Sequence, residues 1–234
     1  MKIQNGAFKS IEDNRDFEFV GSASTPFDWN KGFDIEEELG FKIPVKSQGE
    51  SKSCGGQAFS YHTQVLEALY SKTFEERSAK FLYSQVALPE GGSRGRDICK
   101  IIYNQGSARE AFYPSYYTDD TPLSETDMID TSTINDIIRQ DAKSAQSISY
   151  KNIKNITIDN VAIALRDNKG VVIGVSGENN GTWLTAFPTP PKTAEWGHWL
   201  AVFKAIAITP TEYDAWKKGI INYDDLNNKY HFGK

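Results

Sequence analysis

The chain has 234 residues, of which 39% are hydrophobic and 24% charged, enough for one large domain or two small lobes around a substantial core. A net charge of −5 and a pI near 5.3 leave no basic stripe to neutralise phosphates, which argues against a nucleic-acid partner. The longest apolar runs, such as VVIGV at 171–175, are too short to cross a bilayer, so no membrane insertion is expected.

The first forty residues are polar and loop-rich, and they open without an apolar stretch of signal-peptide type. With only two cysteines, Cys54 and Cys99, the chain has no disulfide framework. One Cys54–Cys99 bridge is open to it, but the lack of a signal favours reduced thiols and a cytoplasmic compartment. From Ala58 the apolar residues Phe59, Val65, Leu66 and Leu69 recur at helical spacing, so 54–71 reads as one helix with a buried face. Segments 78–88 and 96–105 are further helices, parted by the glycine-rich turn PEGGSRG. Residues 113–133, rich in Asp and Thr with two prolines, read as loop.

After residue 150 the pattern changes. NITIDNVAIALRDNKG reads as a short strand followed by a helix ended by Gly170. VVIGVSG reads as a buried strand, and GHWLAVFKAIAI at 197–208 as a second. TPTEYDAWKK reads as a helix capped by Thr209, with Pro210 and Glu212 in its first turn. Helices followed by strands predict an α+β protein.

Cys54 stands where a polar loop becomes a helix, among Ser53, Gly55 and Gly56. A helix start offers unpaired N–H groups and the positive end of the dipole, which lower a thiol's pKa. A thiolate nucleophile needs a base, and there are three histidines. His62 lies eight positions along the same helix, about 12 Å away, too far for a hydrogen bond. His231 sits in a polar tail. His198 opens the strand HWLAVF on a rigid element, and Gln48, six residues before Cys54, can join the Cys54 N–H as a second oxyanion donor.

The stretch PVKSQGESKSCGGQAFS resembles the segment of papain-like cysteine peptidases that runs from Pro-Val-Lys through Gln-Gly to the nucleophile. The separation of Cys54 and His198, 144 residues, falls within the roughly 130–150 of such enzymes. The block from Lys80 to Pro114, the block DNVAIALRDNKGVVIGVSG and the strand WGHWLAVFKAI are similar to later family segments in the same order. The resemblance is that of a divergent member, prokaryotic or viral in type. It implies a two-lobe papain-like fold, with an N-terminal extension at 1–26, a helical lobe at 27–145 and a β-rich lobe at 146–234. It also implies peptide-bond hydrolysis with Cys54 as nucleophile, His198 as base and acid, Gln48 at the oxyanion and Gly91 and Gly92 offering backbone to a peptide or protein substrate. No metal and no cofactor are implied.

Several positions depart from the family. Ser51 stands where a half-cystine is usual, Gly55 where an aromatic residue follows the nucleophile, and Gln57 in a normally apolar stretch. The Asn-Ser-Trp motif that orients the histidine is missing, and Asn222 is the best substitute. These departures keep open an inactive binding module, or a thiol amidase acting on cell-wall or isopeptide bonds. They also lead to the expectation that a further C-terminal segment or a partner completes the β-rich lobe, leaving Val202 and Phe203 partly uncovered. The 25 residues before PFDW are too few for a helical inhibitory domain, so other control, or an encounter with substrates only in a particular place, is expected.

Overall fold

A computed structural model describes residues 6–11, 13, 17–19, 25–147, 149–178, 194–221 and 229. Near its start lie two short strands, β1 (Ala7–Phe8) and β2 (Phe33–Asp34). Asp34 then caps α1 (Ile35–Leu39) by accepting from the Glu36 N–H, and Gly40 ends that helix at φ 78°. The long helix α2 (Cys54–Ser71) spans the predicted segment and turns Val65 and Ala68 inward. It is followed by α3 (Ala79–Ser84), capped by Ser78, then β3 (Ser93–Arg94) and α4 (Gly95–Asn104).

The stretch expected to be loop holds a helix, α5 (Glu125–Ile129), whose cap Ser124 accepts from the Asp127 N–H. Five residues are too few to display a helical period, so only the cap is legible in the sequence. Helix α6 (Asp136–Ala142), capped by Asn135, passes into a 3₁₀ turn at Lys143–Ala145. Among the described residues no strand forms at 155–157, directly before α7 (Ile158–Asn168). The Asn155 carbonyl there accepts from the Thr157 N–H and the Asn160 amide, so the capping turn consumes the backbone group that a ladder would need. Lys169, not Gly170, takes the left-handed position at the end of α7 (φ 61°). Gly170 is required by packing, since a Cβ there would stand 2.5 Å from the His62 ring.

Strands β4 (Val171–Gly177) and β5 (Trp196–Val202) pair antiparallel, from Val171 opposite Val202 to Gly177 opposite Trp196. β4 is half-buried rather than buried, with Gly174 and Ser176 exposed. The second predicted strand breaks at Phe203, whose carbonyl accepts from the Ile35 N–H, before β6 (Lys204–Ala205) pairs antiparallel with β2. The final helix α8 (Pro210–Lys217) starts with the full Thr209–Glu212 capping box. Among the described residues β4 is the one strand paired with β5, and Val202 and Phe203 are half-buried.

The core is divided by α2. One cluster joins Val65 and Ala68 to Ile35 and Leu39 of α1 and to Leu165 of α7. A second packs Phe81, Ile98 and Ile138 from α3, α4 and α6, and each such side chain contributes about 1.5–3 kcal/mol on burial. Arg77, 1% exposed, braces the connection between α2 and α3 through Glu67 and the Ser107 carbonyl. The architecture is α+β, with the start of α2 brought beside β5 and β3.

Candidate active site

Cys54 is the first residue of α2, as the sequence predicts, and Ser53 makes no side-chain cap there. Neither cysteine is in a disulfide, so the Cys54–Cys99 bridge is not formed. The thiol is 1% exposed, and burial pushes its pKa up to about 11 although the amides of Trp199, Gly55 and Cys54 itself pull it down. This reverses the lowered pKa expected of a helix start. Loss of water outweighs the helix-end donors when the sulfur is covered.

The cover is the chain's own N-terminal segment. A Cβ on Gly6 would lie 2.5 Å from the Cys54 sulfur and 2.8 Å from the Lys52 carbonyl oxygen. The Gly6 N–H donates to the Gly197 carbonyl at 2.9 Å, and the Gly6 carbonyl accepts from the Ser93 N–H at 3.0 Å. From there β1 runs parallel to β3, Ala7 opposite Ser93 and Phe8 opposite Arg94, and Ser10 accepts from the Arg96 N–H at 3.2 Å. The Phe8 ring lies over the predicted substrate turn, where a Cβ on Gly92 would meet it at 2.7 Å. Gly91 and Gly92 both hold positive φ, near 80°, which L side chains rarely adopt.

His198 lies on β5 opposite Val175, one residue from the Trp199 N–H that donates to the Cys54 sulfur at 3.4 Å. Its Nδ1 is buried without a hydrogen-bond partner, and burial holds its pKa below the usual histidine value. In this arrangement the sulfur takes a backbone N–H rather than the imidazole. The Gln48 amide donates to the Ser51 carbonyl at 2.8 Å, within its own loop. Asn222 and His231 lie outside the described residues. His62 is stacked on Phe203, at 6.1 Å and 14° between rings, and burial lowers its pKa to about 4.

One expected departure, Gly55, acquires a physical reason. A Cβ on Gly55 would stand 2.3 Å from the Ser93 Oγ, 2.7 Å from the Ile98 side chain and 3.2 Å from the Trp199 indole. The space a side chain after Cys54 would occupy is thus filled from β3, α4 and β5 together. That indole donates to the Ser93 carbonyl at 3.1 Å and packs edge-on against Phe59. Trp199 therefore ties β5 to β3 and α2, a role the sequence reading missed although the Trp-Gly-His-Trp run marked it. Gln57 is buried, with its side-chain oxygen unpaired.

No family model and no curated protein matches the sequence. Solved structures do match. Xylellain, a cysteine protease from Xylella fastidiosa, superposes with a TM-score of 0.67 at 22% identity, over 88% of this chain and 82% of that one. Digestive procathepsin L 3 from the larval midgut of Tenebrio molitor gives 0.63 at 13% identity, over 84% of this chain and 60% of that one. Procathepsin B S9 from Trypanosoma congolense gives 0.59 at 13%, over 88% and 72%. The chain has the α+β fold of the papain-like cysteine proteases.

Proposed function

We propose that the protein is a papain-like thiol peptidase, captured here with its cleft occupied. The observation that carries this reading is the extended backbone of residues 6–8 over the Cys54 sulfur, held by the Gly197 carbonyl and the Ser93 N–H. A groove that grips a polypeptide by main-chain groups, directly above a thiol at a helix start, is built for a peptide substrate. With the segment displaced, water returns to the sulfur and the penalty that keeps the thiol neutral falls. Cys54 then attacks the scissile carbonyl, and its own N–H with the Gln48 amide holds the oxyanion. His198 takes the thiol proton and passes it to the leaving amine, after which water hydrolyses the thioester. Gly91 and Gly92 align the substrate backbone, and Asn222 is the proposed orienter of the histidine. Residues 27–145 and 146–234 are taken as the two lobes of one catalytic domain. Packing of Phe27 and Phe33 in one cluster with Ile163 and Leu165 supports that unity.

The occupying segment is itself a means of restraining the thiol. The Gly6 carbonyl accepts from the Ser93 N–H and the Gly6 N–H donates to the Gly197 carbonyl, so the strand is fixed across the thiol and shuts out other ligands. A second reading, a binding module without turnover, is favoured by the unpartnered Nδ1 of His198 and the neutral thiol. Incubating the Gly6→Trp protein with a peptide library and with peptidoglycan fragments separates the readings. Cleavage of peptides supports the peptidase, cleavage of wall fragments alone an amidase, and cleavage of neither, with Cys54 accessible, the binding module.

A further inference from the structure

Glu125, on α5, takes no part in the chemistry above, yet its two oxygens hold different sides of the cleft. Oε2 accepts from the Lys52 N–H at 2.6 Å, two residues before the nucleophile and in the loop that carries Gln48. Oε1 accepts from the Tyr83 hydroxyl at 2.6 Å, and that hydroxyl accepts from the Gly92 N–H at 2.7 Å. The Lys52 side chain crosses the same gap, its Nζ donating to the Glu90 carbonyl at 2.5 Å. The fit is close, since a Cβ on Gly91 would lie 3.0 Å from Oε1 and 2.5 Å from Lys52 Cδ.

We propose that Glu125 is a positioning residue that locks the loop bearing the oxyanion groups to the glycine turn that receives the substrate backbone, so that both keep a fixed placement about Cys54. The proposal rests on the peptidase reading. The direction of the hydrogen bonds requires a carboxylate. Gly92 donates to Tyr83, Tyr83 donates to one oxygen and Lys52 donates to the other, so every proton in the relay points toward Glu125. Only a double acceptor satisfies that order, and a carboxamide of the same shape turns N–H toward one of the two donors. Bonds to a carboxylate are also stronger than neutral ones. Ser51 leaves the loop without a covalent tie at the position where similar peptidases carry a half-cystine, and the Glu125 relay fixes it from the adjacent residue. The charge has an opposite effect on the thiol, adding to the upward push on the Cys54 pKa. Positioning and thiol activation therefore respond in opposite directions when the charge is removed, which a merely structural role would not produce.

The test uses the full chain with Glu125→Gln, Glu125→Ala and Tyr83→Phe. It reads amide hydrogen exchange at Lys52 and Gly92, and the capture of Cys54 by a peptidyl vinyl sulfone relative to iodoacetamide. Glu125→Ala should speed exchange at both amides by about tenfold or more, and Tyr83→Phe at Gly92 alone. The peptidyl-to-iodoacetamide ratio should fall about 10- to 100-fold in Glu125→Gln, because only the peptidyl reagent needs the turn in place. Iodoacetamide alone should react no more slowly. Unchanged exchange at Lys52 and Gly92 in the Glu125 variants overturns the proposal, as does an unchanged ratio despite faster exchange. If Glu125→Ala does not fold, Glu125→Gln and Tyr83→Phe decide. A wild-type Cys54 that neither reagent modifies, even with the N-terminal strand displaced, counts against the peptidase reading, while exchange still decides whether the clamp exists.

Discussion

Gly6 covers Cys54 so closely that a single added methyl group on Gly6 would stand 2.5 Å from the sulfur. Two main-chain hydrogen bonds and the two-residue pairing of β1 with β3 hold the segment there. A two-residue ladder is a weak attachment by itself, so the covered state should be easy to shift. Gly6→Val or Gly6→Trp should displace the strand and speed iodoacetamide labelling of Cys54 by about tenfold or more, while Cys99 on α4 keeps its rate as an internal control. Mass spectrometry of the two tryptic cysteine peptides over time checks this.

The pH dependence follows from the same burial. With the thiol pKa near 11 in the covered state, Cys54 alkylation should rise steeply up to about that pH. Displacing the strand should bring the midpoint down toward the ordinary 9.0 or below, which at pH 8 is about a hundredfold more thiolate. The sign for stability is that of a raised pKa. The contribution, about 3 kcal/mol, is fully present below pH 9 and lost as the pH rises toward 11. Urea midpoints of wild type and Cys54→Ser at pH 8 and pH 10.5 should diverge accordingly.

His62 supplies the opposite case. Burial against Phe203 and beside Gly170 lowers its pKa from 6.5 to about 4, so the folded state resists the proton that the unfolded chain accepts. Its stability contribution is present above pH 6.5 and lost as pH falls toward 4, on the order of 3 kcal/mol. His62→Gln should flatten the fall in urea midpoint between pH 7 and pH 4.5 that wild type displays.

Gly55 is a packing glycine at the first turn of α2. Gly55→Ala must push Ser93 and Ile98 aside, and the Trp199 indole by less, and should destabilise by about 1–3 kcal/mol. Since Trp199 also donates its backbone N–H to the sulfur, this variant should change the Cys54 labelling rate as well as the thermal midpoint.

Much of this arrangement is legible in the sequence because its signals are local. The helix at Cys54, the turn at Gly91–Gly92 and the Thr209–Glu212 capping box each carry their own pattern within a few residues. α5 is too short to show a period, and Glu125 gains its meaning only from Lys52 and Tyr83, which are distant in sequence. The burial of Cys54 depends on Gly6, an unremarked residue in a polar stretch, and on Trp199, 145 positions away. A helix start does favour a thiolate, but the tertiary cover decides the sign of the shift.

The most direct test of Cys54 as a nucleophile served by His198 is the site and rate of covalent attachment of a peptidyl vinyl sulfone at pH 6. It should be measured in wild type, Gly6→Trp and Gly6→Trp/His198→Ala. One adduct is expected, on Cys54, formed slowly in wild type, faster once the strand is displaced, and lost with His198. Equal modification of Cys54 and Cys99, or a rate in the displaced protein that does not depend on His198, would contradict that assignment.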